Sequence, residues 1–538
     1  MMEKVRSALV RASLQVATLR NRGSPISKLP EDALYMIFQW CAHLGCAREQ
    51  LRAMLAISQT CSQWRCLSLS RPLLWSRMDL SHISEEMAGL LSERSRDCPL
   101  ETSWPILLYS TARRESAVRF CVDNLPRIAQ LSLVATRAQL VPWVYDGSAP
   151  QIQKVFLQDA DAFAYRPLIL DRPLFGGQTL HLRHLSLVGI RMPWAAGVYR
   201  NLTSLEVRRC NVGTDVAGDT DLCHIFRDSP HLETLVLSLR TSLNWDVGDD
   251  PLLAPHAGAA RTPLRALRSL TLELPVPYAQ HVLASVVLPP ALAALRLCLE
   301  APHSQPHLLP TLLDPALLPP ALFAPTTRLQ VCDCASSGGV QVRGFAGAPA
   351  PRWEYGWKHR SRLPQGTLAG VARALHARYA LRAVRAVELC AEDGNCQDVG
   401  DALPLLAPLA GLRAFRSLTW SGGTLCAMAA ACTAGARAPW AELEEVELVV
   451  AACGPAAGAV LDAVVAVARA CKALRIVHVT LRMPAMPAGE AALVRDMVRR
   501  VQEMGVGVVC RRVSPHQAHE PLEPVEEFSP SACSVVDA

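Results

Sequence analysis

At 538 residues the chain is long enough for several domains, or for one repeat array that grows by addition. Half of it is hydrophobic, 19% is charged and only 5% is aromatic, which excludes disorder over most of its length and leaves aliphatic side chains and Ala to fill the interior. Lys plus Arg number 54 against 48 Asp plus Glu, a formal +6 with no basic stripe or tail, so no nucleic acid and no membrane is expected among its partners.

Met1–Asn21 carries charges throughout and lacks the apolar core of a secretory signal. The 19 cysteines, odd in number, are therefore expected as reduced thiols in a cytoplasmic or nuclear protein. Val5, Leu9, Leu14 and Leu19 predict an amphipathic helix within residues 1–22, broken at Asn21–Pro25. Leu29-Pro30-Glu31-Asp32 then opens a second helix. Pro30 suits its first turn, and Glu31 and Asp32 suit the positive end of its dipole. Leu34, Ile37, Phe38 and Cys41 follow at i, i+3, i+4 and i+7, so one face is apolar. Another helical stretch, Leu51 to about Leu67, carries Leu51, Leu55, Ile57, Cys61 and Trp64, and Arg71-Pro72-Leu73-Leu74-Trp75 closes the unit. A three-helix unit of about fifty residues is near the lower limit for a self-sufficient core.

The order Leu29-Pro30-Glu31-Asp32, Ile37-Phe38, Ile57-Ser58-x-Thr60-Cys61-x-x-Trp64-Arg65, then Pro72-x-Leu74-Trp75 resembles an F-box, over Ile26–Leu80. The sequence departs from that family in a longer connection, Cys41–Gln50, and in Thr60, where Val is frequent. The resemblance implies binding of a Skp-type adaptor, and through it a cullin ligase. The matching contact positions are Leu29, Pro30, Leu34, Ile37, Phe38, Ile57, Cys61, Trp64, Leu73 and Trp75. The plainer reading of the same pattern is a small helical cap in which Leu29, Ile37, Phe38 and Trp64 are core residues.

Residues 81–120 read as a connecting segment. From there apolar-x-x-apolar-x-apolar recurs: Ile128/Leu131/Leu133, Ile152/Val155/Leu157, Leu182/Leu185/Leu187, Leu202/Leu205/Val207, Leu232/Leu235/Leu237, Leu267/Leu270/Leu272 and Leu292/Leu295/Leu297. It resumes at Val384/Val387/Leu389, Phe415/Leu418/Trp420, Leu443/Val446/Leu448 and Leu474/Val477/Val479. The steps are 20–35 residues, apart from one of 92. Each hit contains the period-two pair of a strand with one buried face, and stretches such as Asp221–Arg227 and Ala459–Ala470 read as helices between them. Leu448–Ala468, the most membrane-like stretch, is interrupted by Gly454-Pro455 and Asp462. It reads as a strand, a turn at 453–455 and a buried helix.

This pattern is similar to irregular leucine-rich repeats, which imply an α/β fold: a small N-terminal three-helix F-box followed by a curved solenoid, here over 121–300 and 381–510. An ordinary parallel α/β sheet would produce the same strands. The 301–380 insertion reads as a Pro-rich segment, a hairpin turning at 336–339 and a helix over about Leu368–Tyr379, all attached to a solenoid edge. Arg352–Arg362 mixes Trp353, Tyr355 and Trp357 with basic residues and reads as a solvated loop, or else a partner loop. Residues 511–538 are Pro-, Ser- and Glu-rich and expected to be disordered, with Ser514-Pro515 and Ser529-Pro530 as phosphorylation candidates.

No nucleophile elbow, phosphate loop, dinucleotide fingerprint or zinc helix is present, and Cys332-x-Cys334 and Cys41-x-His43-x-x-Cys46 lack second ligand pairs. No catalytic residue, cofactor or metal is assigned, and the chain is not expected to be an enzyme, although an enzyme on a misread α/β fold stays open. The combination of module, preceding helix and irregular repeats is similar to the large F-box sets of fungi. It implies a substrate-recognition subunit of an SCF-type ubiquitin ligase with an unknown protein target. A repeat scaffold without a ligase role is the alternative. In each apolar-x-apolar strand the middle residue should face the concave surface. This nominates Phe156, Glu206, Val236, Arg296, Glu388 and Glu447 for target binding, with Ser186, Thr271, Thr419 and His478 beside them. Glu388 and Glu447 should make the later strands acidic.

Overall fold

Period-two apolar pairs can bury one side of a sheet only in extended backbone, and the recurring segments become strands. In the computed structural model the described residues are 2–45, 47–80, 83–104, 119–138, 140–141, 147–161, 167–194, 196–212, 223–241, 261–300, 306–334, 339–358, 367–379, 381–391, 403–417, 422–434, 440–450, 455–482 and 488–513. They form a mixed α/β fold with an N-terminal helical region and large, mostly parallel sheets, arranged in two compact units, Met1–Ser229 and Pro230–Ala538.

The first unit begins with α1 (Met2–Arg22), whose Val5, Leu9, Leu14 and Leu19 are all exposed. Next come α2 (Glu31–Cys41), α3 (Ala47–Thr60) and α4 (Ser62–Ser70). The single helix expected over Leu51–Leu67 is two. At Cys61 the backbone is extended (φ −156°, ψ 168°), and its sulfur caps α4 by accepting the Trp64 N–H at 3.5 Å. Pro30 stands one residue earlier than expected, at the N-cap of α2, where its carbonyl accepts the Leu34 N–H at 3.1 Å.

The presumed connection 81–120 contains α5 (Glu85–Ser95) and a strand, β2 (Leu100–Trp104), which pairs with β1 (Arg77–Asp79). Both strands escape an apolar search. Trp75-x-x-Met78-x-Leu80 lies inside the stretch that resembles an F-box, and Thr102 fills the core position of β2. The sheet continues with β3 (Ile128–Ala135), β4 (Lys154–Asp159), β6 (His184–Val188) and β8 (Ser204–Val212), side by side in chain order and all parallel. Two short strands, β5 (Leu168–Ile169) and β7 (Ile190–Arg191), form a separate parallel ribbon, and α6 (Cys223–Asp228) takes up 223–227 of the stretch read as helical, Asp221 and Leu222 lying outside the described residues.

The second unit contains β9 (Thr234–Thr241), β11 (Ser269–Pro275), β13 (Ala294–Glu300), β14 (Arg328–Cys334), β15 (Gly339–Phe345) and β16 (Trp353–Lys358). After them come β17 (Ala386–Ala391), β18 (Ala414–Ser417), β19 (Glu445–Val450), β20 (Ile476–Arg482) and β21 (Gly507–Val513). The ribbon β10 (Thr262–Pro263) with β12 (Val286–Val287) stands apart. Helices α7 (Val276–Ser285), α8 (Thr367–Arg378), α9 (Leu403–Leu406), α10 (Gly422–Ala434), α11 (Pro455–Ala470) and α12 (Ala488–Gln502) connect the strands. Among the described residues no helix is long and apolar enough to cross a membrane.

The insertion does not hang on an edge. Spatial order runs β13-β16-β15-β14-β17, so three strands are built into the middle of the sheet, and only β15 runs antiparallel to its neighbours. Residues 353–358 are therefore not a solvated loop. Trp353, Tyr355 and Trp357 alternate with Glu354, Gly356 and Lys358, and all three rings are buried. The Trp353 indole donates to Thr326 Oγ1 at 2.9 Å, and the Tyr355 hydroxyl donates to the Leu309 carbonyl. The basic residues at 359–362 lie outside the described residues, as do the hairpin turn at 336–338, the turn at 453–454 and the tail from 514. Arg511–Val513, expected in the tail, belong to β21.

The repeat near 415 is shifted. Leu412, Phe415 and Ser417 are the buried residues, with Arg416 between the last two, while Thr419 and Trp420 lie outside the described residues. A serine at a core-facing position hid the frame.

Candidate functional site

The small helical unit cannot bury all its apolar side chains, and the ten positions matched to an adaptor surface divide into two groups. Leu34 and Phe38, one turn apart on α2, are fully buried, and Phe38 meets Trp64 edge to face at 5.1 Å between ring centres. Ile57 is buried, and so is Trp75, whose indole donates to the Ser68 carbonyl at 2.8 Å while the Arg94 guanidinium lies 4.5 Å over its ring. These four are core residues, not surface contacts, because each lies on the side of its helix that faces a neighbour. Leu29, Pro30, Ile37 and Leu73 are exposed, and Cys61 and Trp64 are half-buried.

Sequence matching missed three exposed neighbours, Met36, Trp40 and Leu44, of which Trp40 is 68% exposed. Their signal is the i, i+4, i+8 spacing on α2 and just beyond it, opposite the Leu34/Phe38 side. An Arg71–Asp32 ion pair at 3.5 Å, with Arg71 also lying 4.8 Å over the Tyr35 ring, ties the chain after α4 to the start of α2.

The outward side of the first sheet is a groove of about 400 Å³. Its register sets Asp79, Ser103, Ser132, Phe156, Ser186 and Glu206 in one row, and Arg77, Glu101, Gln130, Lys154, His184 and Ser204 in the other. Arg77 pairs with Glu101 at 2.9 Å, Gln130 donates to Glu101 at 3.0 Å, and Ser186 donates to Glu206 at 3.0 Å. Phe156 is the sole apolar side chain among these twelve positions. It is half-buried, between Val155 and Leu157, which point into the core.

In the second unit the corresponding row is Val236, Thr271, Arg296, Glu354, Arg343, Gln330, Glu388, Arg416, Glu447 and His478. It is a ladder of opposite charges. Buried Glu354 lies between Arg296 at 3.4 Å and Arg343 at 3.5 Å, Gln330 donates to Glu388 at 3.2 Å, and Arg416 pairs with Glu447 at 3.3 Å and Glu445 at 3.5 Å. Arg416 stands in register between Glu388 and Glu447 and offsets part of the negative charge expected at that end. Arg343, Glu354 and Arg416 were not nominated, because two belong to strands read as insertion and the third to a misplaced repeat.

Among the described residues no three His, Cys, Asp or Glu side chains are grouped as metal ligands would be. No protein-family model matches the chain, and no curated protein matches it.

Proposed function

We propose that the chain is a substrate-recognition subunit of an SCF-type cullin-RING ubiquitin ligase, working in the cytoplasm or nucleus and doing no chemistry of its own. Its N-terminal helices act as an F-box that holds a Skp-type adaptor, and its parallel strands act as a leucine-rich-repeat-like solenoid that holds a target protein. The observation that carries this reading is the set of large apolar side chains left in water on α2 and beside it: Leu29, Ile37, Trp40 and Leu73. Apolar side chains gathered on one small unit mark a protein contact. The outward sheet faces, with Phe156 in one and the charge ladder in the other, offer the second contact area.

Purified chain is mixed with a Skp-type adaptor, and binding is measured for the wild type and for Leu29→Ala with Pro30→Ala. Both residues are exposed at a helix start, so the pair leaves the core intact. Binding should weaken at least roughly tenfold, the scale of truncating interface anchors. Full binding by the folded double variant would overturn the adaptor site. Wild type that captures protein targets but no adaptor would favour a repeat scaffold without a ligase role.

A further inference from the structure

Next to the charge ladder, one step along the strands, the register sets Glu273, Cys298, Gly356, Gln341, Cys332 and Cys390 side by side on the outward face of the second sheet. Cys332 and Cys390 are direct partners on the parallel strands β14 and β17. Paired strands lie about 4.8 Å apart, and disulfide-linked Cα atoms are usually roughly 4.4–6.8 Å apart, so the two sulfurs are within bonding reach with no movement of the backbone as a whole. Side chains on this face do meet across these strands, as Gln330 and Glu388 show one step away.

We propose that Cys332 and Cys390 form an oxidation-sensitive dithiol that closes to a disulfide when a hydroperoxide reaches the outward face of this sheet. The two sulfurs have different surroundings, Cys332 buried and Cys390 half-buried. Arg343 Nη1 donates to Cys332 Sγ at 3.8 Å, a cationic neighbour that favours the thiolate. Cys390 Sγ donates to the Val331 carbonyl at 3.5 Å, and its hydrogen bond with Cys332, then its burial, push its titration up against the smaller opposing pull of Arg343, so it keeps its proton. Cys332 is therefore the sulfur that attacks.

Its thiolate takes the distal peroxide oxygen, the O–O bond breaks, and the alkoxide or hydroxide released takes up a proton, leaving a sulfenic acid on Cys332. The Cys390 thiol then attacks that sulfur. The S–O bond breaks, the S–S bond forms, and water leaves with the Cys390 proton. Two thiols lose two electrons, and the peroxide gains them. An added dithiol reverses the closure. The bond would staple β14, the first strand of the insertion, to β17, the strand where the regular succession resumes.

The full chain is treated with a few equivalents of hydrogen peroxide, alkylated under denaturing conditions, digested with trypsin and mapped by mass spectrometry. The expected product links peptides 329–343 and 386–413 with the loss of two hydrogens, with fragments that place the bond between Cys332 and Cys390. Dithiothreitol should remove the link. Cys332→Ser and Cys390→Ser should each abolish it, and the second should leave a sulfenic acid on Cys332 that dimedone traps. Both thiols still fully alkylated after peroxide, a bond through Cys334 or Cys396 instead, or a dimedone adduct found only on Cys390 would each overturn the proposal. The wild-type map decides the matter even if a serine variant fails to fold.

Discussion

Adding one methyl group at Gly344 tests whether the aromatic segment 353–358 is core. Gly344 is the register partner of Trp353 on neighbouring antiparallel strands. A Cβ at position 344 would lie 2.1 Å from Trp353 Cε2, 2.2 Å from Nε1 and 2.5 Å from Cζ2, far inside van der Waals contact. The ring has little freedom to retreat. It is 1% exposed, donates to Thr326 Oγ1 at 2.9 Å, and has the Phe323 ring at 5.0 Å between centres. Overpacking a core costs about 1–3 kcal/mol, and a buried indole N–H pulled from its partner adds about 1–3 kcal/mol, so Gly344→Ala should cost about 2–6 kcal/mol.

Hydrogen exchange in the full chain reads this locally. Protection of the amides in 328–358 should fall at least roughly 30-fold and by as much as about 20,000-fold, since opening free energies set exchange rates there. Trp353→Ala alone should cost about 3–5 kcal/mol. Once the ring is gone the added methyl group has space, so the double variant should be more stable than the sum of the single effects by about 2 kcal/mol. A Gly344→Ala protein whose protection changes less than roughly threefold, or a double variant that is simply additive, would refute the packing argument.

Two further perturbations probe the same unit. The His376 Nε2–H donates to the Leu405 carbonyl at 2.7 Å, and burial pushes its pKa below 6.5 despite that bond. The unfolded chain then binds the proton more readily, so the contribution of this site is intact above pH 6.5 and is lost as pH falls through that value toward the lower folded pKa. The denaturant midpoint should therefore drop between neutral and mildly acid pH, less steeply in His376→Gln; equal slopes in both proteins would exclude the site as a cause. On the ladder, Arg416 and Glu447 are partly exposed, so swapping them (Arg416→Glu with Glu447→Arg) should recover stability relative to either single reversal by about 0.2–1 kcal/mol at low salt. Melting at low and at molar salt checks this, and a coupling that persists undiminished at high salt would contradict a screened surface pair.

Much of the strand framework was legible before any coordinates, because burying one sheet face demands alternation. Leu185/Leu187 and Val477/Val479 show it in four or five residues, and nothing else in the chain has to be known to read it. The same rule placed Phe156, Glu206 and Arg296 on the outward face, where the register has them. It failed where the core position is not apolar: Thr102 hid β2, and Ser417 moved the repeat that contains Arg416 by three residues. It also failed where composition imitated something else, since Trp353, Tyr355 and Trp357 alternate correctly but precede basic residues that made them look like a loop.

Tertiary structure alone decided two matters. The first is which of the ten residues in the helical motif stay outside, because Leu34 and Ile37, three residues apart on α2, differ only in which neighbour they face: Leu34 is 0% exposed and Ile37 is 40% exposed. The second is strand order within the insertion. β16 lies against β13, and β14 against β17, through pairings between residues 58 positions apart. Local sequence specifies whether a segment can pair, but its partner is chosen by long-range packing. For that reason neither the ladder from Arg296 to Glu447 nor the meeting of Cys332 with Cys390 could be read from spacing along the chain.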